Sequence, residues 1–320
     1  MAIHIIKTGL QMMVQDMGRK GYRKYGVPIS GCMDRTAAQV ANILCGNALS
    51  DAVLEIVMYG AKVCTDRIHL LAFTGSGATV FINDTEVPLY RPILVPAGAV
   101  IDLRYASKGC RIYIAVAGGF DTPMFMGSRS FTSVLSMPEL ISGTILPTGD
   151  CTILSTKIIA SLGSGLSIAS WWANPPICKR TIRCLPGMEW DLLDDLSKRL
   201  WEEVRYMVSN RSNRMGYILM GAKLNMQSPA TMISSAVMPG TIQLTPNGSL
   251  IILMSDAQTT GGYPRIAQVI EADLPVLAQC RRDTVIKFQM IGIEEAVEAY
   301  RFMDQYISEL QQAIRLQFTI

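Results

Sequence analysis

Histidine is almost absent from this chain: there are two in 320 residues. Both, His4 and His69, sit in short strand-like segments. A Ser-His-Asp or Cys-His mechanism would have to use one of them, so acid–base work falls to carboxylates or to water. Charge is scarce too. Charged residues make up 17% and the net charge is +3, and "RKGYRK" at Arg19–Lys24 is the one basic run, so no nucleic-acid partner is expected. No apolar run reaches the roughly 18 residues that a membrane span needs. The opening "MAIHIIKTGLQ" lacks the charged and apolar regions of a signal peptide. The expectation is a cytoplasmic protein with no membrane partner. The eight cysteines form no CxxC pair and no ligand spacing with histidine, which argues against a metal site and for buried reduced thiols. No GxxxxGK[ST] occurs, and "TGSGATV" at Thr74–Val80 leads into a strand rather than a helix, which excludes a P-loop and a Rossmann site.

What the chain does contain is a succession of short β-branched segments punctuated by Gly and Pro. "VLEIVMYG", "RIHLLAFTG", "ATVFIND", "VIDLRY", "RIYIAVAGG", "TIQLTPNG", "SLIILMS" and "TVIKFQM" have strand length and turn signals. Helical spacing is confined to "DRTAAQVANILCGN" with Asp34 as N-cap, to "EWDLLDDLSKRLWEEVRYMV" and to "IEEAVEAYRFMDQYISELQQAI". The fold class is therefore mainly β with a few helices. Arg19-Lys20-Gly21-Tyr22 matches Arg214-Met215-Gly216-Tyr217, and similar strand and turn signals follow each at nearly equal spacing. This suggests two similar β-domains in tandem, residues 1–175 and 176–320, with the boundary within Ser170–Arg180.

Three stretches concentrate hydrogen-bonding residues. "SDAQTTGGYPRIAQV", Ser255–Val269, has Gly261 and Gly262 for a backbone excursion closed to other residues. Asp256, Gln258, Thr259 and Tyr263 would ring it. It would equally serve as a wide hairpin whose side chains satisfy their own backbone. Ser30 and Gly31 precede the Asp34-capped helix, a natural anion site, although Asp34 reads first as a simple cap. Arg129, between Ser128 and Ser130, suits a carboxylate or phosphate, or a polar surface loop.

The segments "QDMGRKGYRKYGVPISGCMDRTAAQVANILCGN", "YIAVAGGF", "MGSRS", "RMGY", "PGTIQLTPNG" and "SDAQTTGGYPRIAQVIEADLPVLAQ" together resemble the allophanate hydrolase subunit 2 family. That family includes the C subunit of 5-oxoprolinase, KipA-like proteins and biotin-dependent carboxyltransferase regions. The resemblance implies two cyclophilin-like β-barrel domains, the second carrying the C-terminal helix. It also implies a hydrolase active in complex with two partners. One is a subunit 1 homologue (KipI-like, the B subunit of 5-oxoprolinase), and the other a LamB/YcsF-type lactam hydrolase (the A subunit). ATP, consumed by that complex, would drive opening of 5-oxoproline to glutamate by phosphorylating the lactam oxygen. On this reading Asp256, Gln258, Thr259 and Arg214 are catalytic. Arg214 and Arg129 neutralise charge, Gln258, Thr259 and the Gly261-Gly262 amides hold the oxyanion, and Asp256 orients a water or a metal. Gly261, Gly262, Tyr263, Ser30, Asp34, Arg129 and Gln243 contact a lactam or amide substrate. Asp16 and Arg19 read as a structural ion pair. The alternatives are a carboxyltransferase component of a urea carboxylase-like system, which would need biotin carried by another protein, and a non-catalytic regulator binding its subunit 1 homologue.

Overall fold

The computed structural model describes residues 1–175, 181–228 and 232–318. Part of the Ser170–Arg180 boundary expected from the sequence, residues 176–180, lies outside the described residues. The chain forms two compact units. The first comprises Met1–Arg19, Asp34–Pro176 and Asp304–Ile320, and the second Lys20–Met33 and Ile177–Met303. Every strand segment anticipated from alternation and turn punctuation is present, and the fold class is mainly β.

The first unit pairs two six-stranded sheets. One runs Ile145–Pro147, Ala2–Thr8, Ala61–Thr65, Val100–Tyr105, Ala78–Ile82, Thr85–Val87. The other runs Ser167–Ile168, Pro92–Val95, His69–Gly75, Arg111–Val116, Val53–Val57, Gln11–Gln15. Ile3, Ile5, Val63, Ile101 and Leu103 of the first meet Leu54, Ile56, Leu71, Phe73 and Ile114 of the second in one apolar core. His69–Gly75 and Arg111–Val116 are buried along their whole length. Their outer face is covered by helix Arg35–Leu44, and Thr74 Oγ1 donates to Ala37 O at 2.7 Å.

In the second unit seven strands close a barrel in the order Thr181–Pro186, Arg265–Val269, Thr241–Leu244, Leu250–Leu253, Gly216–Met220, Arg205–Val208, Val285–Met290. The parallel pair Thr181↔Lys287 shuts it. Period-two patterning does the sorting: in Val285–Met290 only Ile286 and Phe288 are buried, between exposed Val285, Lys287 and Gln289. Trp201 plugs the barrel core, stacked on Phe288 at 4.5 Å and edge-on to Trp190 at 5.6 Å. Met33 joins this core, so residues 20–33 belong physically to the barrel.

One helix expectation is corrected. Glu189–Val208, whose apolar spacing predicts a single amphipathic helix, is a 3-10 turn at Trp190–Leu192, a helix at Asp195–Glu203 and a strand at Arg205–Val208. Asp194 starts the helix by accepting from Ser197 N at 2.6 Å. It ends at extended Val204, because Tyr206 and Val208 are buried in the barrel by strand alternation. Helix Ile153–Leu162, capped by Thr152, lies outside the sequence expectation, and Ile293–Gln317 matches it. No helix among the described residues is long and apolar enough to cross a membrane.

Candidate functional site

In the barrel unit the chain around Asp256 is fixed by a buried guanidinium. Arg214 donates from Nε to Asp256 Oδ2 at 2.7 Å, and from Nη2 to Asp256 Oδ1 at 3.0 Å and to Gly31 O at 2.7 Å. The Asp256 amide donates back to Arg214 O at 2.9 Å, and the Ser30 amide donates to Ser255 O at 3.0 Å. One arginine thus binds three chain segments, at 30–31, 214 and 255–256. Ser30 holds a left-handed backbone at φ +57°. Its side-chain oxygen is buried with no hydrogen-bond partner among the described residues. The Asp256 side chain keeps 16% of its surface exposed and Arg214 only 5%.

From Asp256 the chain climbs into a two-stranded ribbon outside the barrel, Thr260–Gly261 paired with Ser235–Ala236. Gly261 and Gly262 do not carry the left-handed backbone that the sequence suggests; neither has positive φ. Gly261 is explained by a close approach instead, since a Cβ there would stand 2.6 Å from Gln243 Nε2. Buried Gln243 donates through that nitrogen to Tyr263 O at 3.4 Å. At Gly262 the nearest atom to a Cβ is Ser234 Oγ at 3.5 Å, an ordinary contact. Gly261→Ala should therefore drive Gln243 off its carbonyl and cost about 1–3 kcal/mol. Gly262→Ala should stay within about 0.5 kcal/mol. Urea midpoints of the two variants, measured side by side, check the difference.

The ribbon is tied down by Arg265, whose Nε and Nη2 grip Glu189 at 2.9 and 2.7 Å while Nη1 reaches Ala236 O at 3.3 Å. The guanidinium holds the Glu189 carboxyl below the usual carboxylate range, so this clamp remains charged at neutral pH. A second pair of the same design joins Arg183 to Asp273, with Nε–Oδ2 at 3.1 Å and Nη2–Oδ1 at 2.7 Å. Between the ribbon and residues 23–26 opens a cleft of about 500 Å³. Its lining includes Arg23, Lys24, Val237, Met238, Thr259 and Thr260.

Asp256, Arg214, Ser30, Gly261, Gly262, Tyr263, Gln243, Gln258 and Thr259 all fall in the barrel unit. They form two groups, the Arg214 brace and the ribbon with its cleft. Gln258 and Tyr263 are exposed and Thr259 lines the cleft. Asp34 and Arg129 belong to the other unit and find their partners there. Asp34 Oδ1 caps its helix by accepting from Ala37 N at 2.9 Å, and its own amide donates to the Tyr113 hydroxyl at 2.8 Å. Arg129 Nη2 pairs with Asp121 at 2.6 Å on the surface. Asp16 and Arg19 both serve the 125–130 loop. Asp16 accepts from Ser128 Oγ at 2.7 Å and from Arg129 N at 2.6 Å, and Arg19 donates to the Ser130 and Phe125 carbonyls. Cys32, Cys45, Cys110, Cys184 and Cys280 are buried thiols; burial pushes Cys45 and Cys184 far above the ordinary thiol range. Sequence reasoning passes over Arg23 and Lys24, noting only a basic run. The usable signal is that this run sits in a glycine-flanked segment with no acidic neighbour nearer than Asp16 and Asp34.

The family described as carboxyltransferase domain, subdomain A and B, matches residues 25–290 of this chain. The chain is 34% identical over 312 residues to the 5-oxoprolinase C subunit of Haemophilus influenzae, covering 98% of each. It is 35% identical over 308 residues to the 5-oxoprolinase C subunit of Escherichia coli, covering 96% of this chain and 97% of that protein. Among solved structures, the urea carboxylase of Kluyveromyces lactis is similar with a TM-score of 0.86 at 24% identity. That likeness spans 97% of this chain but 29% of the other, and it bears on the fold alone.

Proposed function

Because this chain belongs to the carboxyltransferase domain, subdomain A and B, family, we propose that it is the C subunit of a cytoplasmic, ATP-dependent 5-oxoprolinase. It would act with a subunit 1 homologue and a LamB/YcsF-type lactam hydrolase. One observation carries the reading: end-to-end similarity at 34% and 35% identity to two proteins named as the C subunit of 5-oxoprolinase. The urea carboxylase likeness is weaker at 24% and spans less than a third of that chain.

A lactam carbonyl is a poor electrophile, so opening it needs charge withdrawn from its oxygen and a water held at its carbon. In this reading the Asp256 carboxylate orients that water from its exposed edge. Arg214 is a positioning residue: its fork is spent on Asp256 and Gly31, so it fixes the carboxylate rather than meeting substrate. Gln258, Thr259 and Tyr263 supply donors from the ribbon. ATP would activate the lactam oxygen, but this chain's glycine-rich loop does not fit its phosphates. A Cβ at Gly77 would meet the Cys110 backbone at 2.8 Å, and one at Gly109 would run into Ser76. The loop is filled by protein, and we assign ATP to another component of the complex.

The test is reconstitution with the subunit 1 homologue and lactam hydrolase of the same organism, following glutamate and ADP from 5-oxoproline and ATP, with urea in parallel. Glutamate is expected only when the chain is present. Asp256→Asn should lower kcat by about 10²–10⁴-fold. Undiminished turnover removes Asp256 from the chemistry, and a tight complex that makes no glutamate removes the oxoprolinase reading in favour of a carboxyltransferase or a regulator.

A further inference from the structure

Three arginines of the barrel unit are each held by a carboxylate of that unit. Arg183, Arg214 and Arg265 each present a fork to a carboxylate of the same unit, Asp273, Asp256 and Glu189. Arg23 is half-buried on the wall of the cleft, yet its guanidinium makes no ion pair or side-chain hydrogen bond with any described residue. A partly desolvated guanidinium without an anion is an unfavourable arrangement, and its planar donors match a carboxylate in two-point contact.

The rest of the cleft also suits a carboxylate. Lys24, beside Arg23, lies over the Tyr25 ring at 5.0 Å from the ring centroid and has no other partner among the described residues. Across from them stand Thr259 and Thr260, whose hydroxyls donate to nothing and accept nothing among the described residues. Val237 and Met238 give the same cavity an apolar side. The segment bearing the cations is anchored, because Ser30 N and Gly31 O are held by Ser255 and Arg214. Gly26 closes the Arg23–Tyr25 turn in left-handed geometry at φ +81°. The cleft's volume of about 500 Å³ falls in the range of small-molecule sites.

We propose that this cleft binds the carboxylate of a small, partly apolar acid, with Arg23 as the principal ligand, Lys24 as the supporting charge and Thr259 and Thr260 as hydrogen-bond donors. Building on the function proposed above, that acid is 5-oxoproline: its α-carboxylate meets Arg23 and its ring methylenes lie on Val237 and Met238. Specificity then has a physical basis, since the same ring without the carboxylate leaves Arg23 unpaired.

The experiment uses the full chain, isotope-labelled, with amide and methyl shifts followed during titration. One arm adds 5-oxoproline, a second adds pyrrolidin-2-one, the same lactam without a carboxylate, and a third adds inorganic phosphate. Saturable shifts at Thr259, Thr260 and Val237 are expected with 5-oxoproline and not with pyrrolidin-2-one. Arg23→Gln should raise Kd on the order of tenfold to a hundredfold, and Arg23→Lys by less, since it keeps the charge and loses the fork. The Arg23 side chain bonds no described residue, and its backbone bond from Gly26 N survives substitution, so both variants should fold. Equal binding of the two lactams, or a Kd unmoved by Arg23→Gln, overturns the proposal. Phosphate binding that 5-oxoproline does not displace overturns the carboxylate assignment in favour of a phosphate source. In the reconstituted complex, glutamate formation with an unchanged KM in Arg23→Gln sinks the cleft and leaves the function standing. An inactive complex in which this chain still binds 5-oxoproline through Arg23 does the reverse.

Discussion

Arg214→Met is expected to lower the stability of the barrel unit by about 2–4 kcal/mol. Methionine fills much of the same space, so the loss is electrostatic. Asp256 would forfeit donors at 2.7 and 3.0 Å, and the Gly31 carbonyl its donor at 2.7 Å. A stranded carboxylate is the larger part of such a cost, and the 16% exposure of Asp256 brings it somewhat below the roughly 3–5 kcal/mol usual for a fully buried pair. The double variant Arg214→Met/Asp256→Leu removes the stranded charge as well and should recover half or more of the loss. Urea unfolding followed by tryptophan fluorescence reads both, because Trp201 is stacked in the barrel core. A single-variant midpoint equal to that of the unmodified chain would mean that the brace is not holding the three segments in solution.

The second large effect lies in the other unit. Asp16→Ala should cost about 3–5 kcal/mol. Its carboxylate is buried and accepts from Gly18 N at 2.7 Å, from Arg129 N at 2.6 Å and from the hydroxyls of Ser128 and Ser130. Both serines are fully buried, so removing the acceptor leaves donors that water cannot reach. Arg129→Ala, which loses a surface pair with Asp121 and a coulombic interaction with Asp51, should stay within about 1 kcal/mol. Calorimetric unfolding of the two variants separates a buried acceptor from a surface charge. If Asp16→Ala matched Arg129→Ala, the loop would have found other partners and the network would carry little.

Particular residues mark where sequence reading succeeds. Asp34 was legible as a cap because its acceptor and the Ala37 amide are three residues apart, within reach of local pattern. The alternation of Val285–Met290 was legible for the same reason. Glu189–Val208 misled because helical spacing in Arg205–Val208 is indistinguishable from strand alternation over four residues; barrel closure chose between them. Gly261 stands out in the sequence for its backbone freedom, but what requires glycine there is the approach of Gln243 from the barrel strand next to Arg265–Val269. Arg23 gave only the weak signal of a basic run without nearby acids in the sequence, because an arginine acquires meaning only when the folded surroundings also supply no acid.

By itself, the sequence determined the strand-rich class, the helix starts at Asp34 and near Ile293, and the segments shared with a family. Each depends on residue type and on spacing within a few positions. Tertiary structure alone decided that Arg214 braces Asp256 across 42 residues of chain, that Asp16 serves a loop 112 residues away, and that Arg23 faces a cleft instead of a carboxylate. A charge's partner is set by which distant segments the folded chain brings within about 3 Å, and no local propensity encodes that distance.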